Sequence, residues 1–146
     1  MRDPRPLPAA TVLIVDDERV VRRLAQRLLS EAGYRTFEAE NGIEAFDLLS
    51  VAGPVDLVLV DVVMPRLNGA EFVERLLEHR PDQRVLYMSA HPAELLARFK
   101  APDLTVPFLA KPFTAEALLT KVGEALERDP TPADQQRTFW RTVRGA

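Results

Sequence analysis

Short apolar runs alternate with amphipathic segments along most of the chain. Residues 11–16 (TVLIVD), 55–60 (VDLVLV) and 84–89 (RVLYMS) are rich in β-branched and other apolar side chains. Such runs are typical of buried strands. Residues 105–110 (TVPFLA) fit the same description, and residues 34–39 (YRTFEA) form a weaker candidate. The pattern therefore predicts five strands, separated by segments long enough for helices.

Each predicted strand is followed by a segment with apolar residues at helical spacing. Asn41, with Glu44 three residues later, and Thr114 are predicted N-caps, whereas Gly33 and Pro54 mark helix ends. The residues predicted to face inward are Val20, Val21, Leu24, Leu28 and Leu29 in the first helix, Ile43, Phe46 and Leu49 in the second, Phe72, Val73, Leu76 and Leu77 in the third, Leu95, Leu96 and Phe99 in the fourth, and Leu118, Leu119, Val122 and Leu126 in the last.

Consecutive strand–helix units indicate a parallel sheet with helices on both faces. Right-handed crossovers leave few topologies. Pro107 lies inside the predicted fifth strand, and proline in a strand favours the sheet edge. We therefore predict one α/β domain with a flavodoxin-like doubly wound five-stranded parallel sheet, in the order 2-1-3-4-5. We expect this domain to span residues 10–128, between an N-terminal extension (1–9) and a tail (129–146) with room for one short helix.

Composition narrows the class of protein. The chain has 146 residues, of which 47% are hydrophobic and 28% charged, as is usual for one soluble domain. Its formal net charge of -3 argues against a nucleic-acid-binding surface. The absence of cysteine excludes disulfides and thiolate metal sites. Residues 1–10 lack the apolar core of a signal peptide, and no apolar run is long enough to span a membrane, so we expect a cytoplasmic protein.

Polar residues stand at the ends of four predicted strands. The first strand ends in Asp16 and Asp17, Asp61 follows the third, Ser89 ends the fourth, and Lys111 follows the fifth. The carboxyl ends of parallel strands share one edge of the sheet, where open α/β sheets bind ligands. We therefore expect three carboxylates, a hydroxyl and an ammonium group in one crevice.

Each of these residues alone has a simpler interpretation. Asp16 or Asp17 could cap the first helix, Asp61 could begin a loop, and Lys111 could be solvated. Together they favour a functional site, because clustered carboxylates raise one another's pKa unless a cation lies among them. An all-oxygen site with room for water suits Mg²⁺ and does not suit zinc. A lysine beside it would balance further negative charge, most naturally that of a phosphoryl group.

Four motifs carry a resemblance to a known family. They are VDDE at 15–18, DVVMPRLNG at 61–69, MSA at 88–90 and FLAKPF at 108–113. Over residues 10–128 the sequence resembles the receiver domain of bacterial two-component response regulators. It is similar both to the single-domain chemotaxis response regulator and to the C-terminal receivers of hybrid histidine kinases.

The resemblance implies a role for each site residue. Asp61 matches the phosphoacceptor, Ser89 matches the hydroxyl that binds the phosphoryl group, and Lys111 matches the lysine that pairs with it. The implied Mg²⁺ ligands are Asp17 directly, Asp16 mostly through water, Asp61, and the main-chain carbonyl of Val63. The resemblance also implies a cis peptide bond between Lys111 and Pro112.

The resemblance further implies a conformational switch. Ser89 would move toward the phosphoryl group, and Phe108 would fill the space behind it, although plain edge-strand packing is the alternative for Phe108. The output face would consist of the helix after the fourth strand, the fifth strand and the helix that follows it. Val63 and His91 should flank the path of the hydrolytic water, so we expect them to affect the lifetime of the phosphoryl group.

The implied function is that of a phosphorelay receiver. The chain would take a phosphoryl group from a histidine kinase or a histidine phosphotransfer protein and signal to a downstream protein target. It would catalyse only its own phosphorylation and dephosphorylation. We expect no DNA-binding domain and no membrane contact, and a homodimer is left open. Met1 and the tail favour a free-standing regulator over an excised hybrid-kinase domain.

Three other functions remain as alternatives. A phosphatase of the haloacid dehalogenase type places its nucleophile after the first strand in an Asp-x-Asp motif, where this chain has Asp16, Asp17 and Glu18. A flavodoxin-type electron carrier would need a Ser/Thr/Gly-rich phosphate loop at the same position. A phosphorylation-independent binding module is the third alternative, although this chain keeps every acid of the site.

The tail carries two adjacent aromatic residues, Phe139 and Trp140, with Arg137 and Arg141 beside them. In a helix, Phe139 and Val143 would lie on one side. We hypothesise that this segment forms a short helix that packs on the domain or on a second copy of it. The alternative is a disordered end.

Overall fold

The computed structural model describes residues 10–62, 69–90, 93, 97 and 106–143. These residues contain the strands β1 (Thr11–Val15), β2 (Arg35–Ala39), β3 (Leu57–Asp61), β4 (Arg84–Ser89) and β5 (Phe108–Ala110). They also contain the helices α1 (Arg19–Glu31), α2 (Gly42–Ala52), α3 (Gly69–His79), α4 (Ala115–Glu127) and α5 (Ala133–Val143). The helix predicted around Leu95, Leu96 and Phe99 lies outside the described residues.

The strands form one parallel sheet in the order β2-β1-β3-β4-β5, which confirms the predicted flavodoxin-like topology. Strand order reverses between β1 and β3, and this reversal opens a crevice at their carboxyl ends. Two register pairs matter for the site: Asp61 of β3 lies opposite Met88 of β4, and Tyr87 of β4 lies opposite Phe108 of β5.

Successive side chains of each strand point to opposite sides of the sheet, and helices cover both sides, so both faces are buried. One face packs against α1 and α4, and its strand residues include Val12, Ile14, Leu59 and Met88. The other face packs against α2, α3 and α5, and its strand residues include Leu13, Val15, Val60 and Tyr87. We call the second group the α3-side layer. Apolar packing on both sides fixes the strand ends that carry the polar residues.

In two helices, some of the residues predicted to face inward are exposed, whereas Leu29 and Leu49 are buried as predicted. In α1, Val20 is 81% exposed and Leu24 is 43% exposed, and the buried residues are Ala25 and Leu29. Arg22 explains this orientation, because its Nη1 donates to the main-chain oxygen of Asp16 at 2.8 Å and holds its side of α1 toward the sheet. The prediction that Val20 and Leu24 face inward was therefore wrong.

In α2 the predicted inward residue Ile43 is 77% exposed. Leu49 is buried as predicted, together with Gly42 and Ala45, and the spacing of these three residues follows the helical repeat more closely than the three-residue spacing that led to Ile43. The predicted N-caps are confirmed, since the side chains of Asn41 and Thr114 accept hydrogen bonds from Glu44 and Ala117 main-chain nitrogens at 2.8 and 3.0 Å.

Strand β5 is at the sheet edge, as predicted, but it begins after Pro107 and does not include it. Proline lacks the N–H group that a strand ladder uses. The Pro107 carbonyl still accepts a hydrogen bond from the main-chain nitrogen of Tyr87 at 3.1 Å. Within the part of the chain that the structure describes, no helix is both long enough and apolar enough to cross a membrane.

Candidate functional site

Four predicted site residues meet at the carboxyl edge of the sheet, each placed by the end of a strand. Asp16 follows β1 and is fully buried, and Asp61 ends β3 with 2% of its surface exposed. Ser89 ends β4 and Lys111 follows β5, and both are buried. The strand ends therefore bring Asp16, Asp61, Ser89 and Lys111 to one edge of the sheet, whereas Asp17, the third carboxylate expected there, is exposed.

Lys111 is the centre of the site. Its Nζ donates to Oδ2 of Asp61 at 2.5 Å, to Oδ2 of Asp16 at 2.9 Å and to Oε1 of Glu18 at 3.1 Å. The three donor hydrogens of one ammonium group thus match three carboxylates that come from two different strand ends. These hydrogen bonds fix the position of Asp61 relative to β1 and β5.

The charge of Lys111 is secured by these partners. Burial acts to lower the pKa of Lys111, but the hydrogen bonds and negative charges of Asp61 and Asp16 act in the opposite direction and are stronger together. The pKa of Lys111 is therefore raised above its ordinary value. At neutral pH the site holds a permanent positive charge within reach of Asp61.

The carboxylates form a compact oxygen-rich group. Oxygen atoms of Asp16, Glu18 and Asp61 all lie within 4.8 Å of one another. Three negative charges face one lysine, so the group retains a net negative charge that a cation would neutralise. An all-oxygen donor set of this kind fits Mg²⁺, which prefers carboxylates and water.

Glu18 joins this group, although no role for it was predicted from the sequence. The turn after β1 brings it there: the main-chain nitrogen of Glu18 donates to Oδ1 of Asp16 at 2.9 Å, and the chain then enters α1. The available signal was its position beside Asp17 in the VDDE motif. Asp17 itself is exposed in the same turn and is not part of the compact carboxylate group.

The ends of β4 and β5 are joined directly at the site. The main-chain nitrogen of Lys111 donates to the Ser89 carbonyl at 2.8 Å, and that of Val62 donates to the Met88 carbonyl at 2.8 Å. The first of these hydrogen bonds ties the main chain at Lys111 to the end of β4. The Lys111–Pro112 peptide bond is cis, as the resemblance implied.

Phe108 is the one predicted switch or lifetime residue, besides Ser89, that lies within the described residues. Phe108 is half-buried and packs against the α3-side layer, next to Tyr87. This position fits both the predicted switch role and plain edge-strand packing. Val63 and His91 lie outside the described residues.

Comparison with known sequences gives a family match over most of the chain. The sequence profile described as "Response regulator receiver domain" matches residues 12–123. The sensor kinase CckA of Brucella abortus (strain 2308) is 38% identical over 121 residues, which cover 82% of this chain and 13% of the kinase. The response regulator MprA of Mycobacterium sp. (strain KMS) is 37% identical over 132 residues, which cover 88% of this chain and 56% of that regulator. The chain therefore spans only part of the length of these relatives.

Solved structures agree with this assignment. A response regulator receiver protein from Sinorhizobium medicae WSM419 superposes with a TM-score of 0.67 at 28% identity, covering 83% of this chain and 97% of that one. The chemotaxis response regulator CheY4 of Vibrio cholerae superposes with a TM-score of 0.65 at 27% identity, covering 80% of this chain and 98% of that one. The chain belongs to the response regulator receiver domain family, whose members act as phosphoacceptors in two-component signalling.

Proposed function

We propose that Asp61 accepts a phosphoryl group from the phosphohistidine of a histidine kinase or a histidine phosphotransfer protein. The observation that carries this proposal is the hydrogen bond from Lys111 Nζ to the buried carboxylate of Asp61, inside the acidic group at the sheet edge. A carboxylate held beside a permanent positive charge is placed to act as a nucleophile toward a group that brings more negative charge.

In the proposed reaction, a carboxylate oxygen of Asp61 attacks the phosphorus atom. The bond between phosphorus and the donor imidazole nitrogen breaks, and the imidazole leaves with the bonding electron pair. Lys111 keeps its charge throughout and exchanges carboxylate partners for a phosphoryl oxygen. The Ser89 hydroxyl donates to another phosphoryl oxygen. The chain in this way catalyses its own phosphorylation. Water at the same site later attacks phosphorus, breaks the bond between phosphorus and the Asp61 oxygen, and releases inorganic phosphate with the free carboxylate.

The acidic group fits Mg²⁺, and we propose Asp16, Asp17, Asp61 and the main-chain carbonyl of Val63 as its protein ligands. When bound, the ion would neutralise negative charge on the transferring phosphoryl group. Asp17 is exposed in the turn after β1, and we propose that it reaches an ion that keeps part of its water shell. Val63 and His91 are proposed to set the lifetime of the phosphoryl group by flanking the hydrolytic water.

The proposed signal leaves through Ser89 and Phe108 toward the face that includes β5 and α4. A downstream protein would bind this face in one of its two states, and a second copy of the chain is a further candidate partner. We propose that residues 10–128 act as the receiver unit, with residues 1–9 as an extension and residues 129–146 as a tail.

A phosphotransfer assay tests this function. Purified histidine kinases of the source organism are first autophosphorylated with labelled ATP and then mixed with this chain and Mg²⁺. At least one kinase should pass its label to the chain within seconds to minutes, and a chelator should stop the transfer. The same assay is run with the labelled histidine phosphotransfer proteins of the organism, and if every kinase and every phosphotransfer protein keeps its label, the proposed function is wrong.

The metal ligands give a separate prediction. Asp17→Asn should weaken Mg²⁺ binding more than Asp16→Asn does, because only Asp17 is proposed to bind the ion directly. Isothermal titration calorimetry measures both variants, and Glu18→Gln serves as the matched control, since it removes the same charge from the same turn. Equal losses for Asp16→Asn and Asp17→Asn would contradict the assigned roles. A larger loss for Glu18→Gln than for Asp17→Asn would assign direct binding to Glu18.

A further inference from the structure

Helix α5 packs against the α3-side layer. Gln136 is fully buried, and Phe139 and Trp140 are 2% and 7% exposed, whereas Arg137 and Arg141 point to solvent. Both aromatic rings belong to the same apolar layer as the strand residues of that sheet face. The helix therefore covers part of the sheet and is not a free tail.

A buried hydrogen-bond network at Tyr87 fixes the position of α5. The Tyr87 hydroxyl donates to Oε1 of Gln136 at 2.5 Å and accepts from Nε1 of Trp140 at 3.1 Å. Nε2 of Gln136 donates to the main-chain oxygen of Thr131 at 3.1 Å. The Tyr87 ring also stacks on Phe139, with centroids 4.5 Å apart. Buried polar groups satisfied in this way specify one docking geometry, since any shift leaves a donor or an acceptor unpaired.

Tyr87 connects this network to the candidate site. It lies on β4 two residues before Ser89 and one residue before Met88, which pairs with Asp61. Residues two apart in a strand point to the same face, so the side chains of Tyr87 and Ser89 share a side of the sheet. On β5, Phe108 is opposite Tyr87 and packs against the same layer as Phe139 and Trp140. The candidate site and the surface on which α5 packs are thus connected by one short segment of β4, from Tyr87 to Ser89.

We propose that α5 is an intramolecular occupant of the sheet face over β4 and β5, and that phosphorylation of Asp61 releases it. This inference rests on the proposed function. In the docked state Lys111 is shared among Asp16, Glu18 and Asp61. A phosphoryl group on Asp61 takes over Lys111, and the hydrogen bond from the Lys111 main-chain nitrogen to the Ser89 carbonyl passes the resulting movement to β4.

Close packing of the α3-side layer explains why an inward movement of Phe108 would release α5 and not tighten its packing. Protein interiors have few voids, so Phe108 can move inward beside Tyr87 only if neighbouring side chains of the layer move away. Phe139 and Trp140 belong to this layer, and both rings contact Tyr87, the residue opposite Phe108. Helix α5 contributes no strand to the sheet, so its departure leaves the sheet intact. Release of α5 uncovers the face beside β5 for another protein.

Trp140 is the single tryptophan of the chain and reports docking directly. The experiment compares its fluorescence in the full-length protein before and after addition of Mg²⁺ with beryllofluoride, a phosphoryl mimic, and after phosphorylation by acetyl phosphate. Release should shift the emission to longer wavelength and increase quenching by acrylamide. A coupling of ordinary size would change the docking equilibrium about 5- to 150-fold. The Asp61→Asn variant under the same additions should show no shift.

Because thermodynamic coupling is reciprocal, weaker docking of α5 should in turn increase the affinity for the phosphoryl mimic. Gln136→Ala removes the buried amide that bonds Tyr87 and should weaken docking, so it should increase the affinity for beryllofluoride several-fold. Gln135→Ala is the matched control, because Gln135 is the same residue type on the exposed side of α5. Its affinity should equal that of the unmodified chain.

The outcomes separate this inference from the function on which it rests. Intact mass shows whether a phosphoryl group is bound. If it is bound and Trp140 emission stays unchanged or moves to shorter wavelength, the release of α5 is refuted and the proposed function stands. If no phosphoryl group is taken up from acetyl phosphate or from any donor of the phosphotransfer assay, both are refuted.

Discussion

Replacing Asp61 with asparagine should abolish phosphoryl uptake. Incubated with Mg²⁺ and acetyl phosphate, the unmodified chain should gain one phosphoryl group that is stable in acid and labile in base, as an acyl phosphate is. The asparagine side chain would keep the shape of the aspartate but would lack the anionic oxygen that attacks phosphorus. The labelled fraction of Asp61→Asn, measured by intact mass, should fall to background.

The control for this variant is Asp56→Asn, because Asp56 precedes β3 whereas Asp61 ends it. Asp56 is exposed just before β3, where it accepts a hydrogen bond from the Thr11 main-chain nitrogen at 2.7 Å. Asp56→Asn makes the same chemical change away from the carboxyl edge of the sheet and should leave labelling unchanged. Full labelling of Asp61→Asn would place the phosphoacceptor elsewhere.

Replacing Lys111 with methionine should cause the largest loss of stability among substitutions at the site. Methionine retains most of the aliphatic volume but removes the charge, so Asp16 and Asp61 would face each other as buried carboxylates without a cation. Removing one partner of a buried ion pair typically costs about 3–5 kcal/mol. We expect the free energy of unfolding, measured by urea denaturation in the presence of a chelator, to fall by about this amount.

Two further measurements identify the cause of that loss. Lys121→Met, on the exposed side of α4, should leave the free energy of unfolding nearly unchanged. Adding Asp61→Asn to Lys111→Met should restore part of the lost stability, because it removes one of the repelling charges. A stability loss for Lys111→Met that Asp61→Asn does not reduce would indicate lost packing, not lost charge balance.

The topology and the main site residues could be predicted from the sequence. Parallel strands bring their carboxyl ends to one edge, so the meeting of Asp16, Asp61, Ser89 and Lys111 there could be predicted from their positions after apolar runs. The N-caps at Asn41 and Thr114 could also be predicted, because each side chain accepts a hydrogen bond from a main-chain nitrogen only three residues later. Features set by neighbouring residues and by strand order could therefore be predicted from the sequence.

Features set by tertiary contacts could not be predicted from the sequence. Apolar spacing could not show that Val20 and Ile43 face solvent, because Arg22 and the small residues of α2 decide which sides meet the sheet. Glu18 reaches Lys111 only through the turn after β1. The burial of Gln136 against Tyr87 joins residues far apart in the chain, and no local pattern marks a glutamine for that role.

The identity of the phosphorylated residue is the most direct test of the account. Borohydride reduces an aspartyl phosphate to homoserine, so the phosphorylated chain is reduced, cleaved with trypsin and sequenced by tandem mass spectrometry. The peptide of residues 36–66 also contains Asp47 and Asp56, and its fragment ions distinguish them from Asp61. The account predicts homoserine at position 61 alone. Homoserine at any other aspartate, with position 61 unchanged, would contradict it.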